Sequence, residues 1–81
     1  MPEITYGQLA EILRSLGFTT HDPEPGVRVY KHAKSGAMIF LPTMPDEDRV
    51  HGHHLAATQM TLDGFGIATK PEFASRLLKA S

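Results

Sequence analysis

The sequence predicts an α+β domain: a helix, three short antiparallel strands, a second helix, and a further short helix at the C-terminus. Three observations predict it. Leu9, Ile12, Leu13 and Leu16 fall at i, i+3, i+4 and i+7, one apolar stripe on a helix. Val27 to His32 and Ala37 to Leu41 flank a turn at residues 33–36, and Val27 and Val29 alternate with Arg28, Tyr30 and His32 as in a β-hairpin. Thr69 and Glu72 repeat the capping-box spacing that Thr5 and Gln8 show at the first helix, which marks a helix start near the C-terminus. In such a layout both main helices cover one face of the sheet, and the other face is left for solvent or a ligand.

Taken in order, the first helix is capped by Thr5, and Ile4 before the cap pairs with Leu9 as a hydrophobic staple. Gly17 closes it, with Phe18 folding back on its last turn. Phe18 to Asp22 reads as the first strand, and Pro23, Glu24, Pro25 and Gly26 as the turn that follows. On the hairpin, Val27 and Val29 form the apolar side of one strand, while Arg28, Tyr30 and His32 are expected on the decorated, solvent side. On the next strand Ala37, Ile39 and Leu41 share one face and Met38 and Phe40 the other. Pro42 and Pro45 end the sheet, and Asp46 to Asp48 lie in a loop or first helical turn. His53 to Asp63 has good helix formers, with Leu55 and Leu62 seven apart and Ala56 and Met60 beside them, and it ends at Gly64. In the last helix Pro71 sits early and Phe73, Leu77 and Leu78 give a short apolar face, suited to docking on the core or to binding a partner.

Composition bounds what such a domain can do. At 81 residues and 41% hydrophobic, the chain reads as one small domain spanning 1–81, and it buries about 60% of the surface its unfolded chain exposes. That core is too modest to enclose a large cofactor, so a surface site is expected and no cofactor is assigned. With no cysteine there is no disulfide, thiolate metal site or cysteine nucleophile. No apolar run approaches the roughly 20 residues of a membrane span and the N-terminus has no secretion pattern, so no membrane association and a cytoplasmic location are expected. A net charge of −1 argues against strong non-specific nucleic-acid binding. The charge is nonetheless sorted along the chain. Arg28, Lys31, His32 and Lys34 cluster on the hairpin, Asp22 and Glu24 precede it, and Asp46, Glu47 and Asp48 follow it.

Four short features carry a family resemblance. The first helix ends in Leu16-Gly17-Phe18, Gly26 opens a strand that contains Tyr30-Lys31-His32, the next strand ends in Leu41-Pro42, and Gly52 precedes a helix that closes in Gly64-Phe65. From Ile4 to Phe65 the chain resembles the HicA-like (YcfA-like) family of mRNA interferase toxins. The resemblance implies an α-β-β-β-α fold related to the double-stranded-RNA-binding domain, RNA as substrate, and a HicB-type antitoxin as protein partner. The family's catalytic histidine lies two residues before the strand's aromatic, the position of Arg28 here. Arginine stays protonated and cannot act as a general base, so the resemblance implies RNA contact more than RNA cleavage.

The candidate RNA surface is Arg28 for phosphate, Tyr30 for base stacking, and Lys31 and Lys34 as further cations, with His32 as the proposed base for attack of a ribose 2′-OH. The bland alternative is an ordinary solvated strand face. His51, His53 and His54 near Asp48 have residue types that suit zinc, nickel or copper, or could supply the missing base; they read more simply as exposed loop and first-turn residues, and no metal is assigned. His21 beside the proline-rich turn has no evident partner, no Ser or Asp forms a nucleophile–base pattern, and Gly64-x-Gly66 follows a helix rather than the strand a phosphate loop requires. Two functions therefore compete. One is a HicA-like RNA-binding domain, an interferase or a degenerate one. The other is a non-enzymatic interaction module that grips an antitoxin-like partner or a second copy through Met38, Phe40, Phe65 and Phe73.

Overall fold

In the computed structural model, which describes residues 3–81, the order is α1 (Tyr6–Ser15), β1 (Phe18–Glu24), β2 (Val27–His32), β3 (Met38–Pro42), α2 (Gly52–Gly64) and α3 (Lys70–Ala80). The fold is α+β with one antiparallel sheet in the order β1-β2-β3, as the sequence predicts. No helix among the described residues is long and apolar enough to cross a membrane.

Both predicted capping boxes form. Thr5 accepts the Gln8 N–H at 3.2 Å while the Gln8 side chain accepts the Thr5 N–H at 2.8 Å, and Thr69 and Glu72 repeat the exchange at the start of α3. The loop after β3 completes the first cap. The Tyr6 and Gly7 N–H groups donate to the Asp48 and Asp46 carbonyls at 2.9 and 3.0 Å, and Val50 N–H donates to Ile4 O. Gly7 permits this approach, because a Cβ there would stand 3.1 Å from Asp46 Cβ. The acidic run is thus a loop clasped to the start of α1.

The C-terminal helix is docked. Phe73 and Leu77 are fully buried, Gln8 Nε2 donates to the Ala80 carbonyl at 2.6 Å, and Arg76 donates to Ser15 Oγ at 2.9 Å. Burial of each apolar side chain contributes roughly 1.5–3 kcal/mol, enough to hold a helix too short to persist alone. Phe73 is therefore a core residue and not the interface residue that a partner-binding tail would offer.

β1 runs two residues further than expected. Its pairing with β2 shifts between His21 and Glu24, and this irregularity on an edge strand accommodates Pro23, which has no N–H for a ladder.

The faces of β2 are the reverse of the expectation. The core joins Ile4, Leu9, Leu13, Leu55, Leu62, Phe73 and Leu77 to Phe18, Tyr30, Ala37, Ile39 and Leu41 from the sheet. Tyr30 is 3% exposed, so the helices cover the side that carries Arg28, Tyr30 and His32. The register explains it. Tyr30 pairs with Ile39 and Arg28 with Leu41, and paired residues share a face. The apolar stripe of β3 carries Tyr30 inward with it, and an aromatic side chain buries more area than either valine. Val29 is buried too, but on the other side, between its cross-strand neighbours His21 and Phe40.

Candidate binding face

Of the residues proposed for RNA contact, Tyr30 is enclosed in the core and cannot stack on a base. Arg28 is half-buried, and its Nε donates to Asp22 Oδ1 at 3.0 Å. This hydrogen bond, rather than burial, sets the balance that raises the guanidinium above its usual pKa. Lys31 and Lys34 are exposed, Lys31 on the open face opposite Met38 and Lys34 in the turn between β2 and β3. The cationic, aromatic patch read from the sequence is thus divided between two faces of the sheet.

His32 is built into the scaffold. Its Nε2 lies 3.1 Å from the Leu16 carbonyl, which can only accept, so Nε2 carries the proton. Nδ1 is then the acceptor, taking the Ser35 N–H at 3.3 Å and facing Ser35 Oγ at 2.8 Å, while that Oγ accepts the Ala37 N–H at 3.1 Å. The ring therefore bridges the end of α1 to the turn after β2, with the Phe18 ring centred 5.0 Å away. Gly17 makes room, since its φ is +98° and a Cβ would sit 3.3 Å from His32 Nε2. A general base needs a free lone pair facing substrate, and Nδ1 offers none. His32 is thus held as a structural bracket between the end of α1 and the turn after β2.

The open face is formed by Thr19 and His21 on β1, Val27, Val29 and Lys31 on β2, and Met38 and Phe40 on β3. Phe40 is 61% exposed and Met38 43%. Thr19 Oγ1 and the His21 ring are in hydrogen-bond contact at 3.2 Å, which ties down the β1 side of the face. Met60, Phe65 and Leu78 are also exposed, but they lie on or beside the helices rather than the sheet.

His51, His53 and His54 gather at the start of α2, with ring centroids 4.1 to 6.2 Å apart. His51 occupies the N-cap position without a side-chain capping bond. Among the described residues, no group of three histidine or carboxylate side chains is placed to hold a metal ion. Burial, together with the neighbouring rings of His53 and His51, lowers the His54 pKa from its ordinary value. A cationic group with a depressed pKa binds fewer protons folded than unfolded. Its contribution to stability is thus complete above the ordinary value near 6.5 and is lost as pH falls below it. Acidification from about pH 7.5 to about pH 5 is expected to lower the melting temperature, and His54→Gln to flatten that dependence. An identical slope in the variant would remove His54 from the account.

A surface cleft of about 410 Å³ lies between α1 and the loop after β3, lined by Gln8, Glu11, Arg14, Asp46 and Glu47 among others. Comparison with protein-family models, with curated proteins and with solved structures finds no match for this chain.

Proposed function

We propose that the chain is a non-catalytic binding domain of HicA-like build, and that the open face of its sheet is its protein-contact surface. One observation carries the reading: Met38 and Phe40, exposed at 43% and 61%, stand on the same face of β3, where no helix covers the sheet. Aromatic residues and methionine are enriched at protein interfaces, and exposed side by side they constitute an apolar patch. The groups a ribonuclease would draw on are occupied, His32 by its two-sided bridge and Arg28 by Asp22. An antitoxin-like protein is the partner class that the sequence resemblance implies.

The test is co-expression with the product of the adjoining reading frame. A complex that forms with the wild type and weakens at least tenfold with Phe40→Lys, while the variant stays folded with a melting temperature within about 8 °C of the wild type, is expected. A complex indifferent to Phe40→Lys would sink the reading, as would RNA cleavage by the wild type that His32→Asn abolishes without unfolding the domain. Lys31 favours a second reading, because it places a cation beside Met38 and Phe40 on the same face. A single RNA strand stacked on Phe40 would use it together with Lys34 and show a shallow salt dependence, set by few phosphate contacts. Retardation of a short RNA at low salt, lost with Phe40→Ala, would favour that alternative.

A further inference from the structure

We propose that β3 and the adjoining open face form a two-fold contact between copies of this chain, with β3 of one copy antiparallel to β3 of the other. The inference rests on the open face being a protein-contact surface and names its occupant. The first argument is the backbone. His32 N–H donates to the Ala37 carbonyl at 2.9 Å and Thr43 N–H to the Gly26 carbonyl at 3.1 Å, with the pairs Tyr30–Ile39 and Arg28–Leu41 at the same parity between them. In an antiparallel ladder such bonded positions alternate with positions whose N–H and C=O point away from the partner strand. On β3 the outward positions are Met38 and Phe40. The sheet order ends at β3, and no lysine or internal proline guards this edge; Pro42 stands only at its end.

The second argument is that the same two residues present their side chains to solvent on the open face. With Met38 of one copy opposite Phe40 of the other, each residue exchanges N–H and C=O bonds with its counterpart, and the thioether lies beside the ring. The third argument is charge. The hairpin end of the sheet carries Lys31 and Lys34, and lies near the end of α1, whose Leu16 carbonyl meets His32. At the opposite end Arg28 is taken up by Asp22 and Arg49 by Glu3, and the acidic side chains of Glu24 and of the loop Asp46 to Asp48, which is clasped there to the start of α1, remain in excess. Antiparallel association sets the cationic end of one copy toward the acidic end of the other, whereas parallel association would set like charges together. The contact is therefore self-complementary, as a two-fold interface must be.

The strand is short, so the contact falls below about 800 Å² per partner, and micromolar dissociation is expected. Light scattering on the full chain across a micromolar to millimolar series should show the mass rise from 8.9 kDa toward twice that value. Phe40→Lys and Met38→Lys should each hold the mass at one chain while lowering the melting temperature by no more than about 8 °C. Amide exchange at Met38 and Phe40 should slow as concentration rises, while the β1 edge is unaffected. A single-chain mass at millimolar concentration would overturn the proposal; so would a dimer that persists in both lysine variants, or one that leaves those amides unprotected. A monomeric chain whose complex with another protein is still broken by Phe40→Lys would refute self-association alone. Absence of both effects would refute the binding face as well.

Discussion

Tyr30→Ala is expected to destabilise the domain by about 3–5 kcal/mol, the range for emptying a fully enclosed aromatic site. Tyr30 is 3% exposed and packs within the core that all three helices share. Small domains hold only about 5–15 kcal/mol in total, so the variant should be partly unfolded at room temperature or melt far below the wild type. Phe40→Ala removes a ring that is already 61% exposed and should cost under about 1 kcal/mol, most of it from uncovering Val29. Urea denaturation of the two variants side by side measures the contrast. Equal costs, or a larger cost at Phe40, would mean that the helices cover the other face of the sheet.

His32→Ala should cost about 2–3 kcal/mol, because it strips the Leu16 carbonyl and the Ser35 N–H of partners in a half-buried setting. For a domain of this length that corresponds to a fall of about 10–20 °C in melting temperature. Ser35→Ala should cost less, since it removes the Oγ contacts to Nδ1 and to the Ala37 N–H but leaves the bond from Nε2 to Leu16. The double variant should fall short of the sum, as expected for residues in one hydrogen-bonded network. A stable His32→Ala protein would show that the ring is dispensable to the scaffold and reopen a chemical role for it.

Much of the fold was legible in the sequence because it is encoded locally. Thr5, Gln8, Thr69 and Glu72 satisfy helix-end N–H groups within three residues of themselves, and Gly17 supplies a left-handed backbone at the end of α1. The register was legible as well, since a turn at residues 33–36 sets Tyr30 opposite Ile39. What misled was the polarity of single residues. Tyrosine beside lysine and arginine reads as surface, yet its ring is the largest apolar body on that strand, and the partner strand decides its side. The cross-strand match of β2 with β3 places Tyr30 with Ile39 and Leu41, and Phe40 outside.

α2 was blurred for a related reason. Its buried residues are Leu55, Thr58 and Leu62, while the apolar Met60 is 70% exposed, so hydropathy alone does not trace the inward stripe. The bridge from His32 to Leu16 joins residues sixteen apart and had no local signature beyond Gly17. Docking of α3 was likewise decided by Phe73 and Leu77 meeting a core assembled from the other elements, which no window of that helix reveals.

The account depends most on which side of the sheet faces water, and nuclear magnetic resonance with a soluble paramagnetic relaxation agent reads this directly. In samples dilute enough to hold the single chain, signals from the Phe40 ring and the Met38 methyl should broaden strongly while those from the Tyr30 ring stay sharp. A broadened Tyr30 ring beside a protected Phe40 would contradict the arrangement on which the binding face, the His32 bracket and the β3 contact all rest.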